Sequence, residues 1–275
     1  MVKTSMKKKT PLVSVLINNY NKEKFCKKAV KSILNQSYNK IEIIFFDDYS
    51  EDHSLDRIKE IKKKKIKIIE NKSSQSIHSF NQMNAIFKSL EKSKGEIVCI
   101  LDSDDFFSKN KIKKIVNFFI HNKNCDILFD RPIIYQNNKN KFKSNTRYCQ
   151  RKYKWPIFPP SSCISVRSKA LKKNRNKIFL NNFSELWFDF RIATFFSLKK
   201  KQFNILDDHL TYYRDYPTSN DKKYKKFLNL LWWKRRFEAF QFLNSISIDL
   251  YYKNLFSFDY LVTAIINKFI FSRHL

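Results

Sequence analysis

Short unbroken apolar runs alternate with helical periods through the first half of this chain, and that alternation restricts the fold more than any other feature. The runs are Leu12–Ile17, Ile41–Phe46, Ile66–Ile69, Glu96–Leu101 and Cys125–Phe129. Between them lie Lys22–Asn35, Asp52–Lys62, Ile77–Leu90 and Lys109–His121. In the first of these, Phe25, Ala29, Val30, Ile33 and Leu34 recur at helical spacing. Strands separated by helices of such length predict βαβ units and parallel pairing. Strands that are apolar throughout, rather than at every second residue, predict a sheet covered on both faces. The expected class is α/β, with a mostly parallel central sheet flanked by helices.

In a sheet of this kind ligands sit beyond the carboxyl ends of the strands, so the residues that follow each run carry the information. The first run is followed by Asn18-Asn19-Tyr20-Asn21, the second by Asp47-Asp48, and the fourth by Asp102-Ser103-Asp104-Asp105. Parallel pairing would gather them at one edge as a polar, strongly acidic pocket. The chain as a whole has net charge +30 and only 25 acidic residues, so this clustering asks for a reason. Neighbouring carboxylates raise one another's pKa unless a cation stands between them. Mg²⁺ is bound through one or two carboxylates together with substrate phosphates. Asp-x-Asp at a strand end sends both side chains to the same side. The pattern points to a divalent cation and a phosphorylated ligand. Asp105 or Ser108 can also be read as the cap of the next helix, since Asp and Ser commonly start helices.

Composition narrows the classes further. The 275 residues are 43% hydrophobic and 16% aromatic, which excludes wholesale disorder and leaves room for one large α/β domain with an appendage. Of the 55 basic residues 11 are Arg, and the lysines are scattered through every segment. No strand face interleaves aromatic with basic residues and no nucleic-acid motif is present, so nucleic acid is not an expected partner. The five cysteines, Cys26, Cys99, Cys125, Cys149 and Cys163, are odd in number and widely spaced. They suggest neither a disulfide framework nor a zinc site, and so a reducing cytosol. No signal peptide and no run of about 18 apolar residues is found.

Residues 1–10 read as a flexible basic tail. Residues 131–160, with Pro132, Pro156, Pro159 and Pro160, read as a long loop or β-excursion. Beyond it the expectations are a strand at Ser162–Val166, a helix at Ser184–Leu198, and short strands at Phe203–Leu206 and Leu210–Tyr213. From Asp221 onward helices dominate. The stretch Tyr224–Asn244 combines Leu230, Leu231, Trp232, Trp233 and Phe237 with Lys234, Arg235 and Arg236, and Leu255–Phe271 is similar. Such helices either pack on the domain or lie peripherally on a membrane surface, here the inner face of the plasma membrane.

Four ordered segments resemble family 2 glycosyltransferases of GT-A fold: Val13–Asn21, Ser32–Tyr38, Glu42–Ser50 and Gly95–Asp105. The resemblance covers roughly residues 11–130 and implies a sugar-nucleotide-binding half there. Residues 131–220 would be the acceptor half of the same domain, and 221–275 a helical C-terminal region. It implies a Rossmann-like sheet and an inverting, metal-dependent transfer of a sugar from a nucleoside-diphosphate donor to a glycan or lipid-linked acceptor, as in cell-surface polysaccharide synthesis. In that frame Asn18, Asn19, Tyr20 and Asn21 would line the base, Asp48 would bond it, and Asp102 would contact the ribose or join the metal. Asp104 would ligate Mn²⁺ or Mg²⁺ on the diphosphate, with Asp105 as the alternative ligand. The base that deprotonates the acceptor would be Glu185, six residues before Arg191, or its rival Asp189. Departures are visible. Ser184-Glu185 replaces an acidic pair, Tyr49 stands where glycine is common, and Asp215-Tyr216 replaces a late His, with Arg214 as partial compensation. A catalytically silent relative that binds nucleotide or glycan would carry the same changes.

Overall fold

A computed structural model describes residues 10–136, 140–149, 154–199, 202–216, 224, 229–247, 253, 255 and 257–271. The basic tail expected at 1–10 falls outside them except for Thr10. The first half folds as the alternation requires: β1 (Val13–Asn19), α1 (Cys26–Leu34), β2 (Ile41–Asp47), α2 (Ser54–Lys59), β3 (Ile66–Glu70), α3 (His78–Lys92), β4 (Ile97–Asp102) and, after a two-residue β5 (Phe106–Phe107), α4 (Lys111–His121). β1 pairs in parallel with β2 and β4, and β2 with β3.

β1, β2 and β4 are mostly apolar and buried because each face has its own helix layer. Val13, Val15 and Ile17 of β1 join Ala29, Val30 and Ile33 of α1 and Ile112, Ile115 and Phe119 of α4 in one core. Leu16 turns the other way, into a second core with Met83, Ile86 and Leu90 of α3. The two-residue side-chain period of the strand thus divides one continuous apolar run between two layers.

The second half makes the sheet mixed. It runs β3-β2-β1-β4-β8-β6-β9-β5, with β7 paired to β6. β6 (Ile127–Gln136) runs through the start of the expected loop, and β7 (Asn140–Lys143) returns antiparallel to it. A 3₁₀ turn, Ser161–Cys163, leads into β8 (Ile164–Arg167), which lies antiparallel to both β4 and β6. Two short helices follow, α5 (Ser168–Lys173) and α6 (Arg175–Ile178). The two short strands expected at 203–206 and 210–213 are one strand, β9 (Phe203–Asp215). The polar run Asp207-Asp208-His209 suggested a break, yet parallel pairing with β6 carries β9 across it through register shifts near Arg131. The helix expected from Ser184 begins four residues later, as α7 (Phe188–Ser197).

α8 (Leu230–Ile246) and α9 (Phe258–Phe271) form the C-terminal region. Ala239 and Phe242 of α8 pack with Phe183, Leu186 and Phe190, so the region is fastened to the segment before α7. No described helix is long and apolar enough to cross a membrane.

Candidate active site

The carboxyl ends of β1, β2 and β4 open into one cavity of about 520 Å³, a size suited to a small ligand. Its wall contains Asn18, Asn19, Tyr20, Asn21, Asp48, Asp102 and Asp104, with Asp189 from the first turn of α7 and Arg214 from β9. Sequence reasoning had placed all nine at the site, and the topology gathers them.

Each strand end is held by its neighbours. The Asn19 amide donates to Asp47 Oδ1 at 2.7 Å, and Ser50 Oγ donates to the same oxygen at 2.8 Å. The Asn21 N–H donates to Ser50 Oγ, and the Glu51 N–H to Asn21 Oδ1. These bonds hold Asn21 and Tyr49 at φ of 50° and 61°. Tyr49, standing where glycine is common, itself takes the left-handed conformation, which costs a non-glycine residue about 1–3 kcal/mol and persists where its surroundings impose it. Asp48 accepts from Asn71 Nδ2 at 2.8 Å and from Ser74 Oγ at 3.1 Å. Neither amide atom of Asn18 makes a well-formed hydrogen bond, although both are buried. The Asn18 side chain stands beside the Asp102 carboxyl and limits the rise of its pKa.

The acidic loop is set from behind. Ser161 Oγ donates to Asp102 Oδ2, and Ser162 Oγ accepts the Asp102 N–H at 3.0 Å. Ser162 Oγ donates to Asp105 Oδ2 at 2.5 Å, and Asp105 Oδ1 takes the Arg214 N–H at 2.8 Å. Beneath lies a fully buried ion pair, Lys111 Nζ to Asp130 Oδ1 at 2.6 Å. The same ammonium donates to Thr211 Oγ1 at 2.6 Å and to the Ser162 carbonyl at 2.8 Å. β5 hooks the loop onto β9 through Phe106–Tyr212 and Phe107–Thr211.

The charges facing the cavity are mixed rather than purely acidic. Lys22 Nζ lies 2.8 Å from Asp104 Oδ2, and Lys22 and Arg214 both line the wall. Burial lowers the Lys22 pKa, but the Asp104 carboxylate more than offsets this and leaves it raised. Burial, and then the Asp104 charge, push the Asp102 carboxyl up to about 6. Lys22 was missed as a site residue although it directly follows Asn21. Tyr216, at the position of the absent His, also lines the cavity, as do Trp187, Gln82 and Ser161.

Asp105 is not among the lining residues. It is buried, both its oxygens accept hydrogen bonds, and burial raises its pKa well above the ordinary value. Its position is that of a brace rather than of an alternative ligand. Among the described residues no three His, Cys, Asp or Glu side chains converge as a metal-binding group. Of the four carboxylates on the cavity wall, Asp102 and Asp104 stand together on the acidic loop, and such a pair suits a Mg²⁺ or Mn²⁺ held largely by a ligand's phosphates.

Of the two candidate bases only Asp189 lines the cavity. Glu185 lies before α7, not in it, and outside the cavity wall. Tyr224 OH donates to its Oε2 at 2.7 Å, and Lys234 Nζ pairs with its Oε1 at 3.0 Å. Burial would raise its pKa, but these donors outweigh burial and leave it lowered. Arg191, fully buried, explains the fixed shape of this segment. Its guanidinium donates to the carbonyls of Leu180, Phe183 and Leu186.

Fold and cavity together define an α/β protein with a ligand-sized cavity at the carboxyl edge of its parallel strands. The chain belongs to glycosyl transferase family 2, whose family model matches residues 14–201. It is 36% identical over 114 residues to an uncharacterised glycosyltransferase of Haemophilus influenzae, covering 41% of this chain and 44% of that protein. It is 27% identical over 127 residues to Escherichia coli WfgD, named a UDP-Glc:alpha-D-GlcNAc-diphosphoundecaprenol beta-1,3-glucosyltransferase, covering 46% and 48%. The matches thus span about half the length of these curated relatives or less. The structure of S. aureus TarS 1–349 in complex with UDP-GlcNAc has a TM-score of 0.64 at 17% identity, covering 95% of this chain and 74% of that one. That likeness shows the fold, which is GT-A.

Proposed function

We propose that this chain transfers a sugar from a nucleoside-diphosphate donor to a glycan or lipid-linked acceptor of cell-surface polysaccharide synthesis, on the cytoplasmic side of the membrane. The observation that carries the proposal is the gathering of Asn18–Asn21, Asp48, Asp102, Asp104 and Asp189 from separate elements into one cavity. The names of WfgD and of the TarS complex make a uridine nucleotide the first donor to test.

In this reading the Asn18 amide and Asp48 hold the nucleoside, and the diphosphate lies toward Asp102 and Asp104. Asp189, the carboxylate on the α7 side, takes the proton of the acceptor hydroxyl. The acceptor oxygen bonds to the anomeric carbon from the face opposite the diphosphate. The sugar–phosphate bond breaks, the anomeric centre inverts, and the nucleoside diphosphate leaves with the bonding electrons. A divalent cation held by Asp104 and Asp102 would, when bound, neutralise charge on that leaving group. Lys22 and Arg214 supply fixed positive charge on the same wall.

Calorimetry with UDP, GDP and dTDP, with and without Mn²⁺, tests the donor site. Metal-dependent binding of one nucleotide is expected, weakened at least about tenfold in Asp104→Ala, or ~1.4 kcal/mol. Folded wild-type protein that binds none of the three would sink the proposal and leave a catalytically silent relative.

A further inference from the structure

α9 is inside out. Thr263 is fully buried and Asn267 is 6% exposed, while Phe258 is 82%, Phe269 68%, Ile265 55% and Leu261 46% exposed. The spacing of the four exposed residues, three or four apart, puts them on one face of the helix. The inward face sets polar contacts beside Tyr260, whose ring packs on Phe237 and Phe240 of α8. Asn267 Nδ2 donates to the Trp233 carbonyl of α8 at 2.9 Å, Thr263 Oγ1 donates to the Asp259 carbonyl at 2.7 Å, and Asp259 accepts from Arg236. A helix whose outer face met water would be arranged the other way round. Single exposed apolar residues need no explanation, but a continuous stripe of them marks an interaction surface.

We propose that this face of α9 lies in the interfacial layer of an anionic lipid bilayer. Its length fits lying, not crossing: 14 residues span about 21 Å, short of the roughly 30 Å hydrocarbon core. Charge favours lipid over a second copy of the chain. Each copy carries +30, so self-association sets like against like, whereas an anionic surface attracts it. Four side chains of one helix also fall short of the roughly 800 Å² per partner that a stable protein interface buries. Asp259, the acidic residue of α9, is already bonded to Arg236. Lys253 and Lys268 are exposed. Leu230 and Leu231, exposed at the start of α8 one turn before Trp233, add apolar surface to the same pair of helices. A lipid-linked acceptor would be presented at such a surface. That sense of the proposal rests on the transferase reading, but the test below does not.

The experiment is co-sedimentation of the full chain with vesicles of phosphatidylcholine alone and of phosphatidylcholine with one third phosphatidylglycerol. Wild type is expected to pellet with the anionic vesicles and much less with the neutral ones. The triple variant L261S, I265S and F269S is expected to lose at least tenfold in partitioning while keeping its circular dichroism and UDP binding. Phe258→Ser alone, at the most exposed position, should show a smaller loss in the same direction if the triple variant is unstable. Wild type that stays in solution with both vesicles overturns the proposal. So do variants that pellet as well as wild type, which would mean that lysines elsewhere account for binding. Sedimentation velocity that reveals a dimer abolished by the same substitutions would instead assign the face to a second copy. UDP binding is read separately, so failure here leaves the donor site standing.

Discussion

Asp189 and Glu185 are four residues apart and carry the same functional group, yet their surroundings give them different chemistry. A general base must reach the proton it removes. Glu185 is held by Tyr224 and Lys234 outside the cavity wall, whereas Asp189 lines the cavity. Asp189→Asn is expected to cut sugar transfer about 10²–10⁴-fold with donor affinity kept, while Glu185→Gln costs less than about tenfold. Turnover and UDP titrations on both variants decide this, and the reverse order would return the base to Glu185. The sequence could not make the distinction. Motif spacing pointed to Glu185, and only the start of α7 at Phe188, together with the arrival of Tyr224 and Lys234 from far along the chain, shows how Glu185 is occupied. The strand-end residues were legible because a parallel sheet fixes where they must go. Asp105 was misread because Asp-x-Asp-Asp does not say which carboxylate turns inward; the donors that turn it, Ser162 and Arg214, are remote in sequence.

Among the elements, β2 shows how a charged residue can be built into the middle of a buried strand. Glu42 is buried, and its carboxylate accepts from Ser14 on β1 at 2.7 Å, Lys67 on β3 at 2.7 Å and the Lys94 N–H before β4 at 2.6 Å. Beside it Gly95 has room for no side chain, since a Cβ would stand 2.4 Å from Ser14 Oγ. Burial raises the Glu42 pKa, but these donors outweigh it and hold it below its ordinary value of 4.5. A carboxylate with a lowered folded-state pKa stabilises the fold above its unfolded value, and that stabilisation is lost as pH falls through the folded value. Glu42→Gln is therefore expected to cost about 1–2 kcal/mol at pH 7, discounted for the solvent-exposed Lys67, with the difference from wild type shrinking below pH 4.5. Urea denaturation at both pH values measures it; a gap that is constant or widens in acid would refute it. Element reading from sequence worked where periodicity was undivided, as in β1 to α4. It failed at β9, whose polar middle follows a register shift in pairing that no local pattern encodes.

For the molecule as a whole, the +30 charge opposes compaction through self-repulsion, which salt screens. Raising NaCl from about 0.05 to about 0.5 M is expected to stabilise the fold by about 1–2 kcal/mol, or roughly 3–6 °C in Tm. The same titration should weaken vesicle binding, so the two readouts move in opposite senses; a Tm that falls with salt would show that attractive ion pairs prevail. The α/β class and the C-terminal helices were legible because they follow from periodicity and composition, but the inverted orientation of α9 was not, since a wheel of residues does not say which side meets α8. The buried Lys111–Asp130 pair has a consequence for anyone redesigning this chain. It holds the floor of the cavity through Ser162 and Thr211, side chains that do not line the cavity. Cavity wall and loop placement are therefore separately editable: libraries at Asn18, Tyr20 and Asp48 can reshape the wall, provided Lys111, Asp130, Ser162 and Thr211 are left as the chassis.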